Sequence, residues 1–251
     1  MRAPVVLISA AMAVPSAYYR PLVAAFEERG WEAVALPTRG FERGEPIASR
    51  DNDWGYADEI QEIADAVAKA RADVPDRPVI VLGHSLGSQL GVAHELNHPP
   101  SDGFVSVGAG VPHFRNYPYG GVPLLAISLL IPVVTRVRGF LPRPFFGAPG
   151  ARTLMREWAG FLRTGEPPFL AEGIVGTPSL VIQLQGDRLA VSKANKAFVA
   201  RFHDPDVTTR WVYTADAVPD GGSIDHVRWV KTPAPVVDRI VDWWDTAHPH
   251  P

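Results

Sequence analysis

The sequence predicts an α/β domain built on a mostly parallel sheet with helices on both faces. Three observations carry that expectation. Short aliphatic runs alternate with longer amphipathic stretches, which is the rhythm of successive βαβ units. Most of those runs are apolar at consecutive positions, as strands covered on both sides must be. The rhythm is broken once, over residues 111–177, so the domain carries an insertion. The chain has 251 residues, of which 46% are hydrophobic and 20% charged. That supplies a core for one large α/β domain and excludes a disordered chain.

The elements follow in order. A strand over residues 4–9 opens the chain, and a helix over 18–29 ends at Gly30, a residue suited to the left-handed turn that closes helices. A second strand covers 33–36. Residues 55–72 place Ile60, Ile63, Ala64 and Val67 on one helical face, opposite Glu59, Glu62 and Asp65. Strand 78–83, helix 86–97 and strand 104–108 complete the first half. Residues 111–177 then lack the βαβ rhythm and are rich in Pro, Gly and large apolar side chains, with an amphipathic stretch over 151–163. Irregular segments of that length form lids or binding loops in compact domains. The expected division is a core of residues 1–110 and 178–251 with a cap, or lid, of residues 111–177. Strand 179–185, helix 192–202, strand 210–214 and helix 236–244 close the core.

Composition removes several functional classes. Net charge is −3 with acids and bases interspersed, so no nucleic-acid partner is expected. The absence of cysteine excludes disulfides, thiolate nucleophiles and zinc–thiolate sites. No His, Asp or Glu cluster has metal-ligand spacing, so neither metal nor other cofactor is implied. The longest apolar stretch, residues 122–135, contains Pro123 and Pro132 and is shorter than the roughly 20 residues a span requires. No membrane span is expected from it. Met1 to Pro4 run directly into the first strand without a secretory apolar region, so a cytoplasmic protein is expected. The sequence leaves the oligomeric state open.

One motif carries chemistry. Residues 79–91 read VIVLGHSLGSQLG, a strand, a Gly-x-Ser-x-Gly turn and the start of a helix. This is the context a nucleophile elbow needs: a strained turn that exposes the serine, glycines that let strand and helix approach, and a helix N-terminus aimed at the site. Ser85 is the expected nucleophile. A serine needs a base, and the base an acid that holds its tautomer, in chain order Ser, acid, His. Asp187 follows the strand over 179–185 at the sheet edge where such folds place their sites. Among eight histidines, His226 alone follows the last strand and a flexible loop and precedes the final helix. Asp225 competes with Asp187 for the acid, but its side chain diverges from that of its neighbour His226. The oxyanion donors are expected from the N–H of Leu86 and from the loop after the first strand, at Ala11 or Met12.

Together these residues resemble the α/β-hydrolase superfamily along nearly the whole chain. More narrowly, they resemble a bacterial branch of serine, esterase-like hydrolases. The branch-level signals are the small-residue loop Ser9–Met12, Tyr18-Tyr19-Arg20-Pro21, Gly55-Tyr56-Ala57-Asp58 and Asp225-His226-Val227-Arg228-Trp229. The resemblance implies a cap between strands 6 and 7 of the family order and a sheet shortened at its N-terminal edge. It also implies cleavage of a small-molecule carboxylic ester through an acyl-enzyme, and the Leu, Ile, Val and Phe content of the cap suggests an apolar acyl or alcohol group. The alternatives are a thioesterase or lactonase using the same residues, or a non-catalytic ligand-binding receptor on the same fold. Arg136, Arg138, Arg143 and Arg152 are candidate anchors for an acidic substrate group.

Overall fold

The computed structural model describes residues 2–144 and 149–248. Its central sheet has six strands: β1 (Val5–Ser9), β2 (Glu32–Ala35), β3 (Val79–His84), β4 (Gly103–Val107), β7 (Ser179–Leu184) and β8 (Thr208–Tyr213). A separate antiparallel pair, β5 (Phe140–Leu141) and β6 (Gly150–Ala151), lies in the insertion. The large sheet runs β2-β1-β3-β4-β7-β8, and every pairing in it is parallel. The sheet therefore ends at β2, shortened at the expected edge. β1, β3, β4 and β7 are buried along their lengths except at Gln183, whereas β8 at the other edge buries only Tyr213.

Strand alternation sorts the core into two layers. Val5, Leu7, Val79 and Val81 face one side, where they meet α2 (Tyr56–Asp73), α3 (Leu86–Asn97) and α6 (Ser192–Phe202). Val6, Ile8, Ile80 and Leu82 face the other, against α1 (Arg20–Glu27) and α7 (Ala234–Ala247). This period of two is what a sheet covered on both faces requires. The boundaries of α3 and α6 coincide with the sequence reading. The helix expected over 18–29 is instead a 3-10 turn, Ser16–Tyr19, followed by α1, because Pro21 favours the first turn of a helix and not its interior.

Residues 108–178 join β4 to β7 and hold α4 (Val122–Arg138), β5, β6 and α5 (Arg152–Thr164). α4 and α5 pack together through Ile131, Met155 and Ala159, beside Leu141. One finding modifies the sequence reading. Pro118–Arg138 contains an 18-residue stretch with a mean hydropathy of 1.8 and is, by length and composition, long and apolar enough to cross a membrane. The 3-10 turn before α4 continues the apolar run, and Pro132 does not interrupt it.

Candidate active site

Ser85 sits where β3 turns into α3, with φ 55° and ψ −110°. A non-glycine residue holds this region only when its surroundings impose it. The flanking glycines show how. A Cβ on Gly87 would lie 2.1 Å from the Ser9 carbonyl oxygen, and one on Gly83 would lie 2.5 Å from the Ser88 backbone nitrogen. The Ser85 N–H donates to the Val107 oxygen at 2.9 Å, which ties the turn to β4. Ser88 Oγ donates to the Gly83 oxygen at 2.7 Å, so a serine inside the helix serves the turn as well.

The loops after β7 and β8 bring the other two residues to it. His226 Nε2 lies 2.8 Å from Ser85 Oγ, and His226 Nδ1 lies 2.6 Å from Asp187 Oδ2. The hydroxyl donates to Nε2 when Nδ1 carries the ring proton, and the Asp187 carboxylate accepts that proton's hydrogen bond and fixes this tautomer. Oδ1 of Asp187 accepts from the N–H groups of Leu189 and Ala190 at 2.8 and 2.9 Å. One carboxylate thus closes its own turn and orients the histidine. Burial pushes its pKa upward, but the His226 bond and charge and the two backbone donors outweigh this, and it ends below the ordinary value. Asp225 takes no part in the pairing: its Oδ1 accepts from the N–H groups of Val227 and Arg228.

The two candidate oxyanion donors in the loop after β1 differ in their hydrogen bonding. The Ala11 N–H donates to the Tyr19 hydroxyl at 2.8 Å, so it is not free to meet a developing charge. Among the described residues, the N–H groups of Met12 and Leu86 have no hydrogen-bond acceptor, and both residues line the same cavity as Ser85 and His226. Of the two alternatives for the second donor, Met12 is the one whose N–H is left without an acceptor beside that of Leu86. The sequence held no sign of this, because the acceptor that occupies Ala11 comes from a different element.

Tyr19 belongs to a second layer that the sequence reading did not connect to the site. Its hydroxyl lies 2.8 Å from His84 Nδ1, and His84 Nε2 lies 2.7 Å from the backbone oxygen of His226. A carbonyl only accepts, so Nε2 carries the proton and Nδ1 accepts from Tyr19. The resulting chain runs from the Ala11 N–H through Tyr19 and His84 to the segment holding His226. Burial foremost, then the neighbouring His226, lowers His84 to about 3, and it stays neutral. Trp229 Nε1 lies 3.2 Å from the same Nε2, which bears a proton and cannot accept; the rings pack edge to face, 5.3 Å apart. Tyr19 and Trp229 both belong to branch-level signals, so those motifs surround the elbow histidine.

Above Ser85 opens a cavity of about 580 Å³. Leu124, Ile127, Trp158 and Leu162, from α4 and α5, line it with Tyr117 and Gln89. Among the described lining residues Arg188 is the one lysine or arginine, and none carries a carboxylate. None of the four arginines considered from sequence borders it. Arg152 instead pairs with Asp53 at 3.0 Å, and Arg136, Arg138 and Arg143 lie elsewhere on the surface. Among the described residues no group of His, Asp or Glu is arranged to hold a metal ion.

An all-parallel doubly covered sheet with a serine elbow after its central strand defines an α/β hydrolase. Within that superfamily the chain belongs to the serine aminopeptidase S33 family of hydrolases, whose model matches residues 2–138. No curated protein sequence matches it. Solved structures do. The pyrethroid hydrolase PytH is 17% identical, with complete coverage of both chains and a TM-score of 0.64. A soluble variant of monoglyceride lipase from Saccharomyces cerevisiae is 14% identical, covering 97% of this chain and 86% of its own, with a TM-score of 0.67. The esterase EaEST from Exiguobacterium antarcticum is 15% identical over 97% and 92% of the two chains, with a TM-score of 0.63. At these identities the likeness establishes the fold.

Proposed function

We propose that the protein is a serine esterase acting on small carboxylic esters with an apolar acyl or alcohol group. The observation that carries this reading is the unbroken Ser85–His226–Asp187 hydrogen-bonded relay opening onto a cavity lined mainly by apolar side chains. In this mechanism Ser85 Oγ attacks the ester carbonyl while His226 Nε2 takes its proton. Asp187 stabilises the imidazolium, and the N–H groups of Leu86 and Met12 hold the oxyanion. His226 then returns the proton to the leaving alcohol. Water, deprotonated by His226, cleaves the acyl-enzyme and restores Ser85. Residues 111–177 act as the cap, since α4 and α5 supply the apolar wall.

The family description raises aminopeptidase action as a second reading. Recognition of a free terminal ammonium calls for a carboxylate in the pocket, and the described lining offers Arg188 instead. An uncharged or anionic substrate fits better. Thioesters and lactones satisfy the same geometry, so their kcat/KM values belong in the comparison with p-nitrophenyl esters. The test is fluorophosphonate labelling followed by peptide mapping. The expected result is one adduct on Ser85, none in Ser85→Ala, and loss of p-nitrophenyl butyrate turnover in that variant. An unlabelled, folded wild type with no turnover on any acyl substrate would leave the receptor reading standing.

A further inference from the structure

The hydrophobic pattern of α4 is reversed for a surface helix. Its inner stripe includes the buried hydroxyls of Ser128 and Thr135, which donate to the helix's own carbonyls at Leu125 and Ile131. Its outer stripe is apolar. Val122 is 64% exposed, Leu129 57%, Val133 60% and Val137 67%, with Leu130 and Ala126 beside them. These positions recur at intervals of three and four, so they form one continuous band along the helix. A helix that is apolar all round ordinarily lies in a protein core or in lipid. This one is covered on one side only.

Charge in the same region has a single sign. Residues 103–156 contain six arginines and no Asp, Glu or Lys, although the whole chain is net negative. Arg136 and Arg138 stand exposed in the last turn of α4, Arg143 follows β5, and none of the three is in an ion pair among the described residues. The apolar band also adjoins the cavity: Tyr119, 94% exposed, and Pro123 lie at its start and line the space above Ser85.

We propose that this face docks the protein onto an anionic lipid surface, with α4 lying in the interfacial plane. The apolar band enters the acyl boundary and Arg136, Arg138 and Arg143 meet lipid phosphates. The charge pattern selects this occupant. A second copy of the chain would present the same acid-free segment, with no carboxylate for these arginines. A full crossing is disfavoured by the fold, since the backbone leaves helical geometry at Tyr119 and Gly120 and confines the continuous helix to the 17 residues of α4. Its inner face is moreover held by α5, with Arg163 donating to the Ser128 oxygen at 2.7 Å. The docked orientation turns the cavity mouth toward the bilayer, which deepens the esterase reading by pointing to substrates that partition into lipid. The adsorption itself does not depend on that reading.

The test is vesicle co-sedimentation of the full-length protein, with either phosphatidylcholine alone or an equal mixture of phosphatidylcholine and phosphatidylglycerol. Wild type is expected to bind the mixed vesicles and to bind neutral ones at least about tenfold more weakly. Leu129→Glu/Val133→Glu should abolish binding, and Arg136→Glu/Arg138→Glu should lower affinity for the mixed vesicles by roughly tenfold or more. Leu129, Val133 and the two arginines do not line the cavity, so hydrolysis of a soluble ester and the circular dichroism spectrum serve as folding controls. Ser85→Ala should bind vesicles as wild type does, which separates failure of docking from failure of the esterase assignment. Two results would overturn the proposal. One is equal binding by wild type and Leu129→Glu/Val133→Glu, or by neither. The other is a wild-type dimer in solution that the same double variant converts to monomer, which would assign the face to a second copy.

Discussion

At the scale of single residues, the site rests on side chains that do two things at once. Asp187 closes a turn with one oxygen and orients His226 with the other. Replacing it by asparagine should preserve the turn, because an amide oxygen still accepts from Leu189 and Ala190. The carboxylate that stabilises the imidazolium is lost, and kcat should fall roughly 10³–10⁴-fold at nearly unchanged melting temperature. Asp225→Asn should leave kcat within about twofold, since its acceptor role in a backbone turn survives as well. Steady-state kinetics on p-nitrophenyl butyrate decide between the two carboxylates, and a large loss in the Asp225 variant alone would reassign the acid.

At the scale of elements, the loop after β1 and the loop before α7 are joined through the 3-10 turn before α1. The linking path is Ala11, Tyr19, His84 and the His226 carbonyl. The expected outcome for Tyr19→Phe follows from that path. It strips the Ala11 N–H and His84 Nδ1 of a buried partner each, which should cost about 1–3 kcal/mol of stability. Freed from Tyr19, Ala11 competes with Met12 to face the oxyanion, and the His226 segment loosens. A drop of roughly tenfold in kcat, measured well below the variant's Tm, is expected. A purely structural tyrosine would lower Tm and leave kcat where it was. Most core elements were legible from periodicity, but this link was not, because Tyr19 and His84 are far apart in sequence and their pairing depends on where the fold sets the 3-10 turn before α1 against the end of β3.

At the scale of the whole molecule, buried histidines and carboxyls together set the response to acid. His84 is lowered to about 3, and His94 and His203 to about 4, in each case chiefly by burial. The ring nitrogens of His94 and His203 have no hydrogen-bond partner among the described residues. Below an unfolded-state value of about 6.5 the unfolded chain binds these protons while the folded chain does not, so the histidines' contribution to stability falls as pH drops from there toward 4, and Glu59, whose carboxyl burial raises to about 8, opposes it. Asp187, whose pKa is lowered, adds a loss in the same direction further into acid. Thermal melts from pH 7 to pH 4 give the net slope of Tm, to which each buried histidine adds a loss toward acid. His203→Phe, which keeps the stack on Phe104, should flatten that slope. An unchanged slope would show that His203 does not carry its share.

The sequence by itself determined the order of strands and helices, the parallel sheet, the elbow at Ser85 and the partners Asp187 and His226. Each of these follows from a local signal: a period of two or 3.6, glycines around a turn, or a position after a strand end. Tertiary structure alone decided that Met12 and not Ala11 offers the free N–H, that His84 is a neutral strut between two loops, and that α4 turns its apolar side outward. Those outcomes depend on which groups from distant segments meet. A backbone donor carries no side-chain signature, and an apolar helix reads the same in sequence whichever of its faces the fold covers.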